Sequence, residues 1–448
     1  MGTLQVTQKL ANHVASSMEI ELTDELVHQV KRVFLDFVCS AITGSNTEVS
    51  KIVYDTVYRL EGEGEYNVIG YEKGLSLTNA AFLNGTSAHC LDLDDGHTAG
   101  SIHPATVVLP AVLAAAQKTK PTFERLIKST IVGYDVCLRI SSAMHPSSRK
   151  RGFHNTPVAG IFGATAAVCV LYGLEEEDIK NAFGVAASFA GGLFAFLGTG
   201  AEVKRIHPGQ AARDALLAVE LTVKGLSGPK FVLECENGVF QAFAGGDISI
   251  DRLFDGIGER YEIMNVYFKP YPCCRHLHSS VDAVYKLRNK YQINIEEISG
   301  IRVGVNNIAY LHRHKEFTTM LDAQMSLPFA VAASFVHPML EINHFDPLKA
   351  DESINKLVKF VEVYIDEEAN NVYPKERLAK VEIFLKNGAR LSEIVRNPLG
   401  EPDNPLSDEK LEQKVYMNCK PIIGEEKTRR ILNLIKNMES EMDFLYQI

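Results

Sequence analysis

The sequence predicts a mainly α protein in which a large all-α helical domain carries an inserted, smaller α+β lid domain. Apolar residues at helical spacing fill about the first 265 positions. Strand-like alternation appears only from about residue 267 to 400, and helical patterns return after it. We therefore assign residues 1–266 and 401–448 to the helical domain and residues 267–400 to the lid domain.

Length, charge and cysteine usage limit the class of protein. A chain of 448 residues is expected to form two or three domains. The net charge is −10 and the basic residues are dispersed, which argues against a nucleic-acid or membrane partner. Acidic residues interrupt the N-terminal apolar positions, so no signal peptide is expected. Most of the eight cysteines sit in apolar stretches, as reduced core residues do. We expect a soluble cytoplasmic protein.

The helical domain is predicted from amphipathic and alanine-rich stretches. In LTDELVHQVKRVFLDFVCSAI, Leu26, Val30, Phe34 and Phe37 share one helix face, and Asp24 suits the N-cap. Small residues in the later segments allow close helix packing. Further helices are predicted over residues 77–92, 105–118, 122–144, 157–172, 175–189, 206–223 and 228–234.

The lid domain is predicted from alternation and turn chemistry. ISGIRVGVN alternates Ile301, Val303 and Val305 with polar residues, as a half-buried strand does. AKVEIFLKNGARLSEIV contains Asn387-Gly388 between two alternating segments, which predicts a β-hairpin. MSLPFAVAASFVH and DESINKLVKFVEVYI are predicted helices between these strands.

The C-terminal segment returns to the helical domain in this prediction. Three prolines break NPLGEPDNPLSDEKLEQK, after which helices begin at about Ser407 and at Glu425. Two short helices cannot form a core alone, so they must pack on the first domain. The crevice between the two domains is then the expected place for a ligand.

The first polar segment within apolar surroundings is SAHCLDLDDGHTAGSIHPATVVLP. It contains Asp92, Asp94, Asp95, His97 and His103 at a break between two apolar helices. Helix capping explains one or two of the five residues. A divalent metal is an alternative, although neither an EF-hand nor an H-E-x-x-H spacing is present. The last histidine opens the next helix, where its ring could face a pocket.

Two more polar segments place basic residues at helix starts. His154 lies in HPSSRKRGFHNTPVAGIFGATAA and Lys204 in GTGAEVKRIHPGQAARDALLA, each just before a predicted helix. A helix N-terminus offers N–H groups and partial positive charge to an anion. The alternative for the neighbouring arginines and lysines is a solvated basic loop.

The fourth polar segment, FKPYPCCRHLHSSVDA, allows several interpretations. A disulfide between Cys273 and Cys274 would be strained and rare, and zinc sites usually need a gap between cysteines. A cysteine nucleophile is possible, because Lys269, Arg275 and His276 could lower a thiol pKa. Alternatively, the lysine and the histidines hold an anionic ligand.

Convergence of these segments on one crevice would suit a substrate with several carboxylates. The groups expected to converge are His103, His154, Lys204, Lys269, His276 and His278. The sequence has no phosphate-binding loop and no dinucleotide fingerprint after a strand. We therefore expect side chains to perform the chemistry, with no cofactor and no metal.

Several blocks in order give the chain a resemblance to the MmgE/PrpD family along nearly its whole length. The blocks are NGTSAHCLDLDDGH, HPATVVLPAVLA, GYDVCLRI, GFHNTPVAGIFGATAA, GTGAEVKRIHPGQAA, FKPYPCCRH, AQMSLPFAVA and NPLSDEKLEQK. The family includes 2-methylcitrate dehydratase, cis-aconitate decarboxylase and an iminodisuccinate epimerase. The resemblance implies a helical domain with a lid domain, usually as a homodimer, and no required metal.

The decarboxylase pattern implies functional roles for six positions: Asp92, His103, His154, Lys204, Lys269 and Tyr310. Decarboxylase-like members have a threonine where this chain has Gly96. They also have a histidine where it has Cys274, which His276 could replace from a shifted position.

We assign roles from this pattern and from the chemistry. His103 is the acid/base candidate, since imidazole exchanges protons near neutral pH. Asp92 would orient or polarise a neighbouring base, and Tyr310 would supply a hydrogen bond. Substrate binding is assigned to His154, Lys204, Lys269, Cys274 and His276.

The expected function is a cofactor-free lyase acting on a small di- or tricarboxylate, with cis-aconitate-type decarboxylation as first choice. The alternatives are a 2-methylcitrate-type hydro-lyase, an epimerase of a dicarboxylate, and a non-catalytic carboxylate-binding protein. Simple anion binding needs no proton-transfer group, so Asp92, His103 and His154 argue against the last.

Overall fold

The computed structural model describes residues 5–197, 201–440 and 442, and the protein is mostly α-helical with one small β-sheet. The expected mainly α class is therefore confirmed. The helices that precede the sheet are α1 Val6–Ala15, α2 Asp24–Ser45, α3 Glu48–Glu61, α4 Leu77–His89, α5 Ala105–Thr119, α6 Phe123–Met144, α7 Ser147–Lys150, α8 Asn155–Tyr172, α9 Glu176–Ala187, α10 His207–Val223, α11 Val239–Ala244, α12 Ile250–Phe254 and α13 His278–Lys290.

The remaining elements alternate between strands and helices. They are β1 Ile298–Val305, α14 Met320–Gln324, α15 Leu327–Val336, α16 Glu352–Phe360, β2 Val361–Ile365, α17 Glu367–Val372, β3 Ala379–Leu385, β4 Arg390–Val395, α18 Asp408–Ile423 and α19 Glu425–Lys436.

Helix α8 forms the centre of the larger core. It packs against α5, α6, α9 and α10. Its length and composition would suit a membrane span, but 94% of that window is buried inside the protein. The close approach of α6 and α8 depends on glycine, because a Cβ at Gly163 would lie 2.3 Å from the Gly133 carbonyl oxygen.

The sheet has the strand order β2-β1-β3-β4. β1 pairs in parallel with β2, with Ile301 opposite Val361, and antiparallel with β3, with Val303 opposite Val381. β3 and β4 form the hairpin predicted at Asn387-Gly388, and the glycine has the positive φ (86°) that such a turn needs. Helices α13 and α15 pack against the sheet.

Buried apolar residues form two main cores. The larger one draws on residues 6–268 and 406–438, and the smaller one on residues 271–395. The two C-terminal helices contribute to the larger core, where α18 packs on α2. The lid boundaries at residues 267 and 400 stay a prediction.

Two predicted elements are wrong. Residues 228–234 form no helix: residues 230–234 are turns, and Gly228 packs against α9, where a Cβ would meet the Asn181 carbonyl oxygen at 2.4 Å. The segment DESINKLVKFVEVYI is a helix only up to Phe360. Its last five residues form strand β2, because pairing with β1 overrides the local helical pattern.

Substituting Gly163→Ala should destabilise the fold. Alanine gains about 1 kcal/mol of intrinsic helix propensity. The new Cβ, however, would lie 2.3 Å from a backbone oxygen and 2.5 Å from Cys137 Cβ, so the helices must separate. We expect a net loss of about 1–3 kcal/mol in the free energy of unfolding, measured by urea denaturation. Gly191→Ala is the matched control, because nothing lies within 4 Å of its added Cβ. An unchanged midpoint for the Gly163 variant would contradict this packing.

Candidate active site

Three chain segments meet at the polar site. One follows α4, one precedes α10, and one follows residue 266. A short antiparallel bridge holds the first to the third, since Gly96 and Tyr267 exchange backbone hydrogen bonds of 3.1 and 2.8 Å. This bridge brings Lys269 beside Asp92, although 177 residues separate them.

Asp92 joins two buried lysines. Its Oδ1 accepts a hydrogen bond from Lys204 Nζ at 2.6 Å and lies 3.2 Å from Lys269 Nζ. Lys269 Nζ also donates to the Asp92 carbonyl oxygen at 3.0 Å. The aspartate has a left-handed backbone (φ 54°), a conformation that Asp tolerates better than most residues. These three groups form one charged unit, which we call the lysine bridge.

Burial and charge act against each other in the lysine bridge. Burial alone would raise the pKa of Asp92, but Lys204 and Lys269 hold that pKa well below its usual range. Burial would lower the pKa of Lys269, whereas Asp92 and then Asp94 raise it above its ordinary value. Asp92 and Lys269 are therefore both ionised at neutral pH.

His103 is positioned to exchange a proton through Nε2. Its Nδ1 lies 2.8 Å from the Asp95 carbonyl oxygen and 3.1 Å from Asp94 Oδ2. A carbonyl oxygen only accepts, so Nδ1 carries a hydrogen and Nε2 is the exchangeable position. The side chain is 16% exposed, more than either bridge lysine.

Asp94 also binds His89, whose Nδ1 lies 2.9 Å from the same Oδ2. Burial lowers the pKa of His89 to about 4, so this imidazole is neutral. The nearest donor atoms of His89, Asp94 and His103 lie within 4.8 Å of one another and could hold a divalent ion. A metal bound through Nδ1 would displace the hydrogen bonds that His89 Nδ1 makes to Asp94 and His103 Nδ1 makes to the Asp95 carbonyl oxygen. The expected absence of a metal stays a prediction.

His154 is a neutral hydrogen-bonding group. Its Nδ1 lies 3.1 Å from His207 Nδ1, a contact in which one ring must donate and the other accept. Burial and then the neighbouring His89 and His207 hold the pKa of His154 well below its usual range. His154 is therefore neutral in this environment and can bind a carboxylate through hydrogen bonds. Its assignment to substrate binding stays a prediction.

Cys274 is paired with His312, which the sequence analysis did not identify. Cys274 Sγ lies 3.7 Å from His312 Nε2, and His312 Nδ1 bonds to the Met325 carbonyl oxygen at 2.9 Å. Burial opposes ionisation of the thiol, but His312 lowers the pKa of Cys274 below its ordinary value. Cys273 is a free, fully buried thiol, so the two cysteines form no disulfide.

The two histidines after Cys274 have different surroundings. His276 Nδ1 lies 2.9 Å from Arg377 Nη1, and its ring lies 5.7 Å from that of His312. His278 contacts Arg275 and the Cys273 carbonyl oxygen, so it supports the backbone.

Tyr310 makes no contact with the lysine bridge among the described residues. It lies on the 3₁₀ turn Ala309–His312, half-buried, with its ring 4.3 Å from the Arg313 guanidinium. Its neighbour on the turn, His312, faces Cys274 instead.

The position of Tyr267 explains why a glycine stands at residue 96. A Cβ at Gly96 would lie 2.3 Å from Tyr267 Oη. Any larger residue would therefore displace the tyrosine ring. Burial raises the pKa of Tyr267 to about 12, so its hydroxyl is neutral.

Sequence reasoning missed His89, Tyr267, His312 and Arg377 as members of this region. His89 is the last residue of α4, an apolar helix. A histidine in such a position is usually interpreted as a core residue, so it gave no functional signal. The other three lie in segments without a distinctive motif. For His312 alone, a sequence signal was available in the clustering of histidines in NNIAYLHRH.

A cavity of about 740 Å³ lies next to segment 270–272 but is lined by none of the lysine-bridge residues and not by His103 or His154. The candidate active site is therefore identified by its charged and hydrogen-bonding side chains, and not by the volume of this cavity.

Comparison with known proteins identifies the family to which the chain is similar. Residues 8–251 match the MmgE/PrpD N-terminal domain and residues 271–440 the MmgE/PrpD C-terminal domain. The chain is 27% identical to the cis-aconitate decarboxylase-like protein oryM of Aspergillus oryzae, over 98% of this chain and 95% of that protein. It is 25% identical to the cis-aconitate decarboxylases of Aspergillus terreus and Homo sapiens, over 98% of this chain and 94% and 92% of theirs.

Asp92→Asn should strongly destabilise the protein. It removes the charge that compensates two ammonium groups, of which Lys204 is 5% and Lys269 0% exposed. Breaking such a buried pair costs about 3–5 kcal/mol, to be measured by urea denaturation. Glu352→Gln is the control, since its carboxylate is 86% exposed and its ion pair should contribute under about 1 kcal/mol. Equal losses in the two variants would rule out the lysine bridge as a stabilising unit.

Cys274 should react with iodoacetamide faster at pH 7 than its neighbour Cys273. A lowered pKa increases the thiolate fraction of Cys274, while burial raises the pKa of Cys273 well above its ordinary value. Tandem mass spectrometry of the shared peptide assigns the label. His312→Gln should slow the labelling of Cys274, because the imidazolium that favours the thiolate is gone. Labelling that is independent of His312 would contradict the effect of this histidine on the Cys274 thiol.

Proposed function

The chain belongs to the MmgE/PrpD family, and from this membership and the geometry of the site we propose that it is a carboxy-lyase acting on an unsaturated tricarboxylate of the cis-aconitate type. The proposal follows the relatives, which are named as cis-aconitate decarboxylases. The coarser function, a lyase acting on carboxylates, does not depend on the choice of substrate.

The lysine bridge is the observation that carries the proposal. Each ammonium has three N–H donors, and Asp92 engages only part of them. Lys204 and Lys269 can therefore donate to substrate carboxylates while the aspartate holds them in place. In a buried site such charge-assisted hydrogen bonds are strong.

His103 would supply the proton. In the proposed reaction the bond from carbon to the departing carboxylate breaks and CO₂ leaves. The released electron pair forms a new double bond, the old one shifts, and its far carbon takes a proton from His103 Nε2. Asp94 stabilises the protonated ring from the Nδ1 side. The lysines disperse the negative charge that develops.

Access to this site would require the chain to open. Lys269 is fully buried and Lys204 nearly so, which keeps water from the reacting groups. Lys269 and Cys274 belong to the segment that we assign to the lid. We infer that residues 267–400 move away from the helical domain to admit substrate and then close over it.

Product analysis tests the reaction. Purified protein is incubated separately with cis-aconitate and 2-methylcitrate, and products are followed by ¹H NMR. We expect loss of CO₂ from cis-aconitate to give an unsaturated dicarboxylate. Dehydration of 2-methylcitrate without decarboxylation of cis-aconitate would instead establish the hydro-lyase alternative and reject this proposal.

His103→Gln should lower kcat by about 10²- to 10⁴-fold, because the group that delivers the proton is lost. Substrate affinity should change little, since the lysines remain. His28→Gln is the matched control: it removes a half-exposed histidine on α2 that pairs with Asp408. A kcat within twofold of the unsubstituted enzyme would remove His103 from the mechanism.

A further inference from the structure

A second group of polar side chains surrounds His276, and apart from that histidine its members have no role in the proposed reaction. Arg377 Nη1 lies 2.9 Å from His276 Nδ1. The ring of Tyr373 lies 6.0 Å from the His276 ring and 6.0 Å from the Arg377 guanidinium. Arg149 and His145 complete the group through their electrostatic interactions with it. We call these five residues the arginine cluster.

The arginine cluster has an excess of positive charge. The groups that favour the charge on Arg149 are Tyr373 and Cys274, and no carboxylate of the described residues is among them. Arg377 lies 3.8 Å from Glu401 Oε1, but that oxygen is closer to Arg275, at 3.0 and 3.1 Å. One glutamate thus serves two guanidinium groups while Arg149 has no acidic partner in the described parts of the chain.

The same cluster contains buried polar atoms without hydrogen-bond partners. Both ring nitrogens of His145 and the hydroxyl of Tyr373 have none among the described residues. His145 is 7% exposed. Buried polar groups are normally satisfied, so donors left in this state beside two arginines indicate a place for an acceptor.

Phe194 and Cys274 connect the cluster to the reaction site. The Phe194 ring lies 3.6 Å from the Arg149 guanidinium and 4.9 Å between centroids from the His154 ring. Cys274 interacts electrostatically with Lys269 and Asp92 on one side and with Arg149 and Tyr373 on the other. The arginine cluster and the lysine bridge are therefore two parts of one site.

We propose that the arginine cluster is a second anion subsite, which binds a substrate carboxylate remote from the one held by the lysine bridge. Guanidinium groups suit this task because their planar donors match a carboxylate in a bidentate way. The proposal rests on the proposed function, which requires a substrate with several carboxylates. The subsite selects tricarboxylates over dicarboxylates of similar length, because a dicarboxylate leaves the arginines unpaired.

Binding of two unreactive acids tests the subsite. Isothermal titration calorimetry compares tricarballylate, which has three carboxylates, with glutarate, which has two. The unsubstituted protein should bind tricarballylate at least about tenfold more tightly. Arg149→Met should weaken tricarballylate binding by about 10- to 100-fold and change glutarate binding by less than about twofold.

Two further variants control for structure. Tyr373→Phe removes only the buried hydroxyl and should weaken tricarballylate selectively. Lys150→Met removes the exposed neighbouring cation and should change neither affinity. Equal losses for both acids in the Arg149 variant, or no tricarballylate binding by the unsubstituted protein, would overturn the subsite. Inorganic phosphate that competes at Arg149 with equal affinity would overturn its assignment to carboxylates.

Turnover of cis-aconitate is measured on the same preparations. Arg149→Met should raise KM with little change in kcat, because the cluster holds the substrate and does not react with it. Intact turnover without selectivity for tricarballylate would reject the subsite alone. Selective, Arg149-dependent binding without turnover would reject the proposed reaction alone.

Discussion

The candidate site depends on the ion pairs between Asp92 and two buried lysines. Lys204 and Lys269 come from segments far apart in the chain, and each would carry a large desolvation cost without the shared carboxylate. The lysines in turn keep that carboxylate ionised within the protein. The backbone bridge between Gly96 and Tyr267 fixes the two segments that contribute Asp92 and Lys269. The ion pair between Asp92 and Lys269 thus joins the helical body to the start of the proposed lid.

Burial divides the polar residues of the site into charged and neutral groups. Lys269 and Arg377 remain protonated, since nearby groups raise the pKa of each above its ordinary value. Desolvation keeps His89, His154 and His276 neutral. His103 Nδ1 contacts both the Asp94 carboxylate and the Asp95 carbonyl oxygen. This leaves Nε2 as the nitrogen that can take up and release a proton. In the proposed function, the lysines supply the charge that binds substrate, and His103 transfers the proton. Placing these two tasks on different side chains helps catalysis near neutral pH.

Two adjacent carboxylates, Asp94 and Asp95, show that the surroundings set the protonation state of each residue separately. Asp94 and Asp95 are both fully buried. Burial favours the neutral form of each, but His89 and His103 hold the pKa of Asp94 well below its usual range. Burial, and then the neighbouring carboxylate Asp36, raise the pKa of Asp95 well above its usual range. Asp94 contacts His89 and His103. Asp95 accepts hydrogen bonds from the first backbone N–H of α5 and from the Tyr134 hydroxyl.

The sequence by itself determined the helical body, the hairpin at Asn387-Gly388 and the polar segments that contain Asp92, His103, Lys204 and Lys269. These follow from periodicity, turn chemistry and residue type, which act over a few residues. Tertiary structure alone decided that β2 pairs with β1, that His312 faces Cys274, and that His154 is neutral. Strand pairing, desolvation and charge act through space between residues that are far apart in sequence, so local pattern does not contain them.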